Sequence, residues 1–350
     1  MTRTVAILGA GGAVGARLAA QLTDFDLRLG SRRPKSGHRC VEATDPAALT
    51  DFCAGADVVV NCVGPIGRSR RAILTAAETA GAAYVDAAAL GLDEELLSAA
   101  DGDPTRPALF GAGATPGASE LLMRWAAMRL AGRPVAMTVY AATLDQMTPG
   151  SAEDFLTSLS GEYGNSGAAL VGGVVVAGAL TPWTGRRLPF IPDDVTGIPF
   201  LSRDAAVTGR RVGVGELRCY HLFETGSPVL AALHRRLPGA TKEPAAVGEL
   251  RAVAGAVVAG RSAYQIFVVE TTAADRTEVA VVRVPGTYGL TAAVLAAAVR
   301  GVPEVSPGRY RAAEVLAPDL LPGCVRAADG QLWTLDGPLA GYADVEAGAI

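Results

Sequence analysis

A chain of 350 residues, half of them hydrophobic and 19% charged, carries more apolar surface than one typical core absorbs, so two domains are expected. Its net charge of -4 and its lack of any long basic block exclude a nucleic-acid backbone as partner, because such binding needs clustered Lys and Arg. Five scattered cysteines (Cys40, Cys53, Cys62, Cys219 and Cys324), with no C-x-x-C pair, argue against a disulfide framework and against zinc, and no metal is expected.

From the N-terminus the chain runs directly into strand-like Thr4 to Ala10 without a signal-peptide pattern, so a cytoplasmic location is expected. Further strands are predicted at Asp26 to Gly30, Asp57 to Val63, Ala83 to Ala87 and Ala108 to Gly111. Helices are predicted between them at Ala13 to Leu22, Ser69 to Ala80, Asp93 to Ala99 and Ala118 to Leu130, where apolar residues recur at three and four positions. This alternation predicts βαβ units and a doubly wound parallel sheet of Rossmann type over residues 1–132.

After Gly132-Arg133-Pro134 the pattern changes to long strand-like runs, Val135 to Leu144, Tyr264 to Thr272 and Glu278 to Val284. They predict a second α+β domain, residues 133–288, built on a mainly antiparallel sheet whose open face suits a substrate and a homodimer surface. Within it, Gly167 to Leu180 is too short to span a bilayer and reads as a buried or flexible wall; no membrane partner is expected. An Ala-rich helix from Gly289 to Arg300 and a Pro/Gly-rich tail from Val302 complete the chain as a segment, 289–350, that returns to the first domain.

Directly after the first strand and before a helix stands Gly9-Ala10-Gly11-Gly12-Ala13-Val14-Gly15. Missing side chains let backbone approach a pyrophosphate while the helix N-terminus directs free N–H groups at it; the bland alternative is a tight turn. At the end of the second strand, where an acid would bind the ribose hydroxyl of NAD, the chain has Ser31-Arg32-Arg33. Hydroxyl and guanidinium donors suit the extra phosphate of NADP, so NADP(H) is the expected cofactor, against a merely solvated arginine pair. Asn61, Gly64 and Pro65, in Asn61-Cys62-Val63-Gly64-Pro65, close the third predicted strand at the same carboxyl edge, either as a turn alone or as backbone laid along the cofactor.

The segments GAGGAVG, LGSRRP, DVVVNCVGP, AETAGAAYVDAA and GAGATPGASELL, with PGTYGLTAAVLAAA further on, together resemble the saccharopine dehydrogenase-like NAD(P)-dependent oxidoreductase family. The resemblance implies reduction of a C=N bond or, in lipid-pathway branches, a C=C bond with a nicotinamide cofactor. An NADPH-dependent imine reductase of an amino-acid-derived or specialised metabolite is the first expectation. The alternatives are an enoyl reductase of a lipid or polyketide intermediate, with Gly167 to Leu180 as its apolar pocket, and a non-catalytic NADP(H) sensor.

For the chemistry, Asp86 at the end of the Tyr84-Val85-Asp86 strand is a candidate to steady an iminium or relay a proton, against a loop-capping role. His221 in the second domain is a candidate acid, against a packed histidine, and Tyr288 is a phenol candidate beside Tyr140 and Tyr163. Arg68, Arg70 and Arg71 read as a solvated helix face, with Arg68 near enough to the Gly-Pro turn to meet a substrate carboxylate. The short-chain-dehydrogenase mechanism is excluded: neither Lys35 nor Lys242 has a tyrosine four positions before it.

Overall fold

The computed structural model describes residues 2–33, 35–65, 68–98, 104–130, 132–159, 161–236 and 244–343. The chain divides into two compact units, Met1–Ala118 with Tyr288–Leu320, and Ser119–Thr287 with Leu321–Ile350.

In the first unit, β1 (Thr4–Leu8), α1 (Ala13–Gln21), β2 (Asp26–Ser31), β3 (Arg39–Cys40), α2 (Pro46–Cys53), β4 (Val58–Asn61), α3 (Arg70–Thr79), β5 (Ala83–Asp86) and β6 (Pro107–Phe110) follow one another. With Gly308–Arg311 they make a seven-stranded sheet in which all pairings are parallel, in the order Gly308–Arg311, β6, β5, β4, β1, β2, β3. This is the Rossmann order extended by one edge strand. Val5, Ala6, Ile7, Val59 and Val60 are fully buried, as the central strands of a sheet covered on both faces must be. One face packs on α2 and α3 through Leu49, Phe52, Ile73 and Leu74. The helix Thr287–Gly301 also belongs here from Tyr288 on: Arg300 donates to Gln21 O (2.9 Å) and Asp24 (2.7 Å), and Thr291 Oγ accepts from Ala114 N–H (3.2 Å).

Two predicted elements take another form. Asp93 to Ala99 is not an α-helix but a 3₁₀ segment, Gly91–Leu97, with Ala99 outside the described residues. Its Asp93 leaves helical geometry (φ -94°, ψ 24°) and pairs with Arg70 and Arg71, each at 3.1 Å. The stretch from Val302 is no plain tail, since it contributes the edge strand Gly308–Arg311, the helix Leu321–Ala327 and the strand Gln331–Asp336.

The second unit holds a ten-stranded sheet of β7 (Ala136–Leu144), β8 (Gly164–Ser166), β9 (Ala169–Val171), β10 (Val174–Val176), β11 (Trp183–Arg186), β12 (Val195–Ser202), β13 (Glu216–Glu224), β14 (Tyr264–Thr272), β15 (Thr277–Val284) and Gln331–Asp336. Its path runs β10, β9, β13, β7, β14, β15, Gln331–Asp336, antiparallel except for the β13–β7 pair. Because Gln331–Asp336 pairs with β15, residues from Leu321 on join this unit rather than accompany the returning helix. Alternation along the strands puts Ile266, Val268, Val279 and Val281 into one core cluster. The stretch Gly167 to Leu180 is fully buried only over Ala168, Ala169 and Leu170: it is the β9–β10 hairpin and its return, with Val171, Val174 and Val176 exposed.

Among the described residues no helix is long and apolar enough to cross a membrane, and no group of three or more His, Cys, Asp or Glu could hold a metal ion.

Candidate functional site

In the first unit the carboxyl ends of β1, β2, β4 and β5 lie side by side, the edge at which open α/β sheets bind ligands. At the end of β1, Gly9 adopts φ +79°, and a Cβ there would stand 2.6 Å from Cys62 O. A Cβ on Gly15, in the first turn of α1, would stand 2.4 Å from Gly9 O, so helix and loop touch backbone to backbone. Gly12 donates its N–H to Gly9 O (2.9 Å) and begins α1 with no side-chain cap. The first-turn amides of Ala13, Val14 and Gly15 therefore have no acceptor inside the helix, and exposed Gly11 and Gly12 leave the approach to them open.

The end of β2 is bound to this loop, with Ala10 N–H donating to Gly30 O (3.0 Å). Gly30 is needed there because a Cβ would sit 2.7 Å from the Phe52 ring packed beneath the strand. Ser31 Oγ donates to Arg33 O (2.8 Å), which curls the chain and leaves Arg32 and Arg33 exposed. Neither guanidinium has an ion-pair partner among the described residues. The sequence expectation thus places Gly9, Gly11, Gly12, Ala13, Val14, Gly15, Ser31, Arg32 and Arg33 on two adjoining strand ends.

At the end of β4, Asn61 is buried and fully engaged. Its Nδ2 donates to Tyr84 Oη (3.0 Å) and Asp86 Oδ2 (3.2 Å), and its Oδ1 accepts from Val63 N–H (3.0 Å). That last bond shapes the chain leading to Gly64, exposed, and Pro65, half-buried. Asn61 is thus a support under the turn rather than a ligand-facing side chain. The Cys62 thiol beside it is pushed up by burial and then by Asp86, so it stays protonated.

Asp86, expected to steady an iminium or relay a proton, is buried in a hydrogen-bonded network. It is 2% exposed, and Oδ2 accepts from Tyr84 Oη (2.8 Å), Arg70 Nε (2.9 Å) and Asn61, while Oδ1 accepts from Ala88 N–H (2.8 Å). Three donors fill Oδ2, while Oδ1 takes one backbone donor and the whole group is shielded from solvent. Its cation is Arg70, which is 1% exposed rather than on a solvated face. Besides Asp86, Arg70 donates to Leu90 O (3.1 Å), Asp93 Oδ2 (3.1 Å), Ala88 O (3.2 Å) and Ala89 O (2.7 Å), which matches the five N–H groups of a guanidinium. Burial works against that charge, but Asp86, and after it Asp93, outweigh it and hold it firmly protonated. Burial, then Asp86, raises the Tyr84 phenol, which stays neutral. Periodicity had a signal for this: Arg70 shares the i, i+3, i+4, i+7 face of Ile73, Leu74 and Ala77, all buried.

The remaining candidates lie apart in the chain. Tyr288 is half-buried in the first turn of Thr287–Gly301, in the first unit. His221 belongs to the second unit, on β13, with its ring edge-on to Phe200 at 5.8 Å. Burial lowers its pKa, so the imidazole is uncharged at neutral pH. Tyr140 stacks on Tyr220 (centroids 5.7 Å apart), and burial, followed by Glu270, pushes its phenol up to about 12.

No family model matches the sequence, and no curated protein matches it. Among solved structures, apo saccharopine dehydrogenase (L-Glu forming) from Saccharomyces cerevisiae superposes over 96% of this chain and 100% of its own, with a TM-score of 0.64 at 13% identity. The chain has the saccharopine dehydrogenase fold. Homospermidine synthase from Legionella pneumophila, solved in complex with NAD, is similar over 96% of this chain and 91% of its own, with a TM-score of 0.65 at 10% identity. At such identities the saccharopine dehydrogenase fold is shared through strand order and sheet architecture rather than through side chains.

Proposed function

We propose that this protein is an NADP(H)-dependent reductase of a C=N bond in an amino-acid-derived or specialised metabolite. The observation that carries the reading is the cradle at the carboxyl edge: glycines at 9 and 15 that admit no Cβ, an uncapped start to α1, and exposed Arg32 and Arg33 beside it. A pyrophosphate fits that shape and charge, and the two guanidinium groups fit a ribose phosphate. The solved relatives support it, one named as a dehydrogenase that forms L-Glu and the other solved with NAD.

In this reading Gly11 and Gly12 let the pyrophosphate approach, the amides of Ala13, Val14 and Gly15 bind it, and Ser31, Arg32 and Arg33 hold the ribose phosphate. The Gly64-Pro65 turn, supported by Asn61, lines the path toward the reacting end. When bound, reduced nicotinamide supplies the hydride. An iminium already carries its proton on nitrogen, so the reaction asks for placement and electrostatics rather than a strong acid. That agrees with Asp86 being neutralised by Arg70 and His221 being uncharged.

The enoyl reading has less support, since the valines of the apolar stretch meant to form its pocket, Val171, Val174 and Val176, lie exposed on a hairpin. The test is consumption of NADPH, followed by absorbance, with a panel of linear and cyclic imines and a matched panel of enoyl compounds. Turnover confined to imines is expected. Turnover confined to enoyl compounds, or tight NADPH binding with no turnover in either panel, overturns the reading in favour of an enoyl reductase or a sensor.

A further inference from the structure

The second unit leaves one end of its sheet open in an unusual way. β10 is the terminal strand and pairs, among the described residues, only with β9, so one side of its backbone N–H and C=O row has no described strand beside it. Free edges in monomeric proteins are normally blunted by charge, proline or a bulge, because they template pairing with another chain. The opposite edge follows that rule: Gln331–Asp336 ends in Asp336, which pairs with Arg276 at 2.6 Å.

β10 reads Val174-Val175-Val176, with Val174 64% and Val176 40% exposed, and Val171 across the hairpin 43% exposed. Tyr163 to Gly185 contains no charged residue over 23 positions, where the chain's 19% charge leads one to expect about four. The hairpin is also pinned in place. Its turn glycines, Gly172 and Gly173, take φ +56° and +82°, the primed geometry that favours two-residue hairpins. Gly172 N–H donates to Gly215 O (2.8 Å), Arg210 Nε donates to Gly173 O (2.8 Å), and Leu180 N–H donates to Gly167 O (2.9 Å).

We infer that this hairpin is a self-association surface, at which β10 pairs antiparallel with β10 of a second copy of the same chain about a two-fold axis. The occupant is a second copy because a two-fold centred on Val175 sets Val174 opposite Val176 of the other copy, so that only uncharged valines meet across the junction. Of the arm's 23 residues, 18 are exposed or half-buried, close to the roughly 20 per side that a standard interface uses. Exposed valines of this density on a free edge otherwise mark an aggregation site.

Analytical ultracentrifugation of the full chain over a concentration series tests this inference independently of any nucleotide. Wild type is expected to dimerise reversibly. Val174→Lys with Val176→Lys, setting four like charges at the junction, is expected to raise the dimer dissociation constant by at least about 100-fold. The control, Val174→Thr with Val176→Thr, keeps the dimer. A wild type that stays monomeric, or a lysine variant that dimerises like wild type, overturns the inference. Should the lysine variant fail to fold, amide exchange on wild type still decides: exchange at residues 174–176 slows with rising concentration if the edges pair, and concentration-independent exchange refutes it.

Discussion

Gly15→Ala is expected to abolish measurable NADPH binding, with a dissociation constant at least about 100-fold weaker, and to cost about 1–3 kcal/mol of stability. The added Cβ would lie 2.4 Å from Gly9 O and 2.7 Å from Ala10 Cα, both backbone atoms that cannot swing aside. The helix must then back away from the strand end, and the uncapped amides of its first turn move with it. Gly11→Ala separates binding from folding. Its Cβ meets only Ser31 Cβ at 3.6 Å, an ordinary contact, so the thermal midpoint should stay within about a degree. Yet that methyl stands on the open approach to the helix start, and NADPH should weaken by about tenfold or more. Fluorescence titration and a thermal melt of both variants check this pair; unchanged NADPH affinity in Gly15→Ala would contradict the assigned site.

Arg70→Ala is expected to be the most destabilising single change in the first unit. Removing one partner of a buried ion pair leaves an uncompensated charge, a loss of about 3–5 kcal/mol. Here it strands the Asp86 carboxylate and also the carbonyls of Ala88, Ala89 and Leu90, all of which Arg70 holds. The thermal midpoint should fall by roughly 10 °C or more. Replacing both partners, Arg70→Met with Asp86→Asn, should recover part of that loss, because the orphaned charge is then gone. A double variant no more stable than Arg70→Ala would show that the network matters through its carbonyl contacts rather than its charge balance.

The parallel sheet and the glycine loop were legible because their signals are local. Gly9 to Gly15 carry their own geometric necessity, and short apolar runs separated by helical periodicity dictate βαβ order. The Arg70 network was not, because its acceptors come from Asp86 to Asp93, about twenty positions downstream, and three arginines in four positions look solvated. Helices α2, Pro149–Ser158 and Arg203–Val212 went unpredicted although each announces itself. Asp45 caps the amides of Ala47 and Ala48, Thr148 that of Ser151 and Ser202 that of Ala205, with Pro46 and Pro149 at the first helical position. Hydropathy misled at Gly167 to Leu180, where valines on either side of Gly172-Gly173 meant a hairpin edge and not a buried wall. His221 and Tyr288 could not be placed by pattern at all, since their surroundings are assembled by strand pairing and by the return of the chain at Thr287.

We propose that the first unit holds NADP(H), with the ribose phosphate on the basic end of β2. It is tested most directly by fluorescence titration of wild type with NADPH and with NADH, repeated on Arg32→Ala. Wild type should favour NADPH, and Arg32→Ala should weaken NADPH by about 10- to 100-fold, the worth of a charged hydrogen bond, while NADH changes by less than about threefold. Equal loss of both nucleotides in the variant would move the phosphate away from Arg32, and no binding of either by wild type would contradict the account.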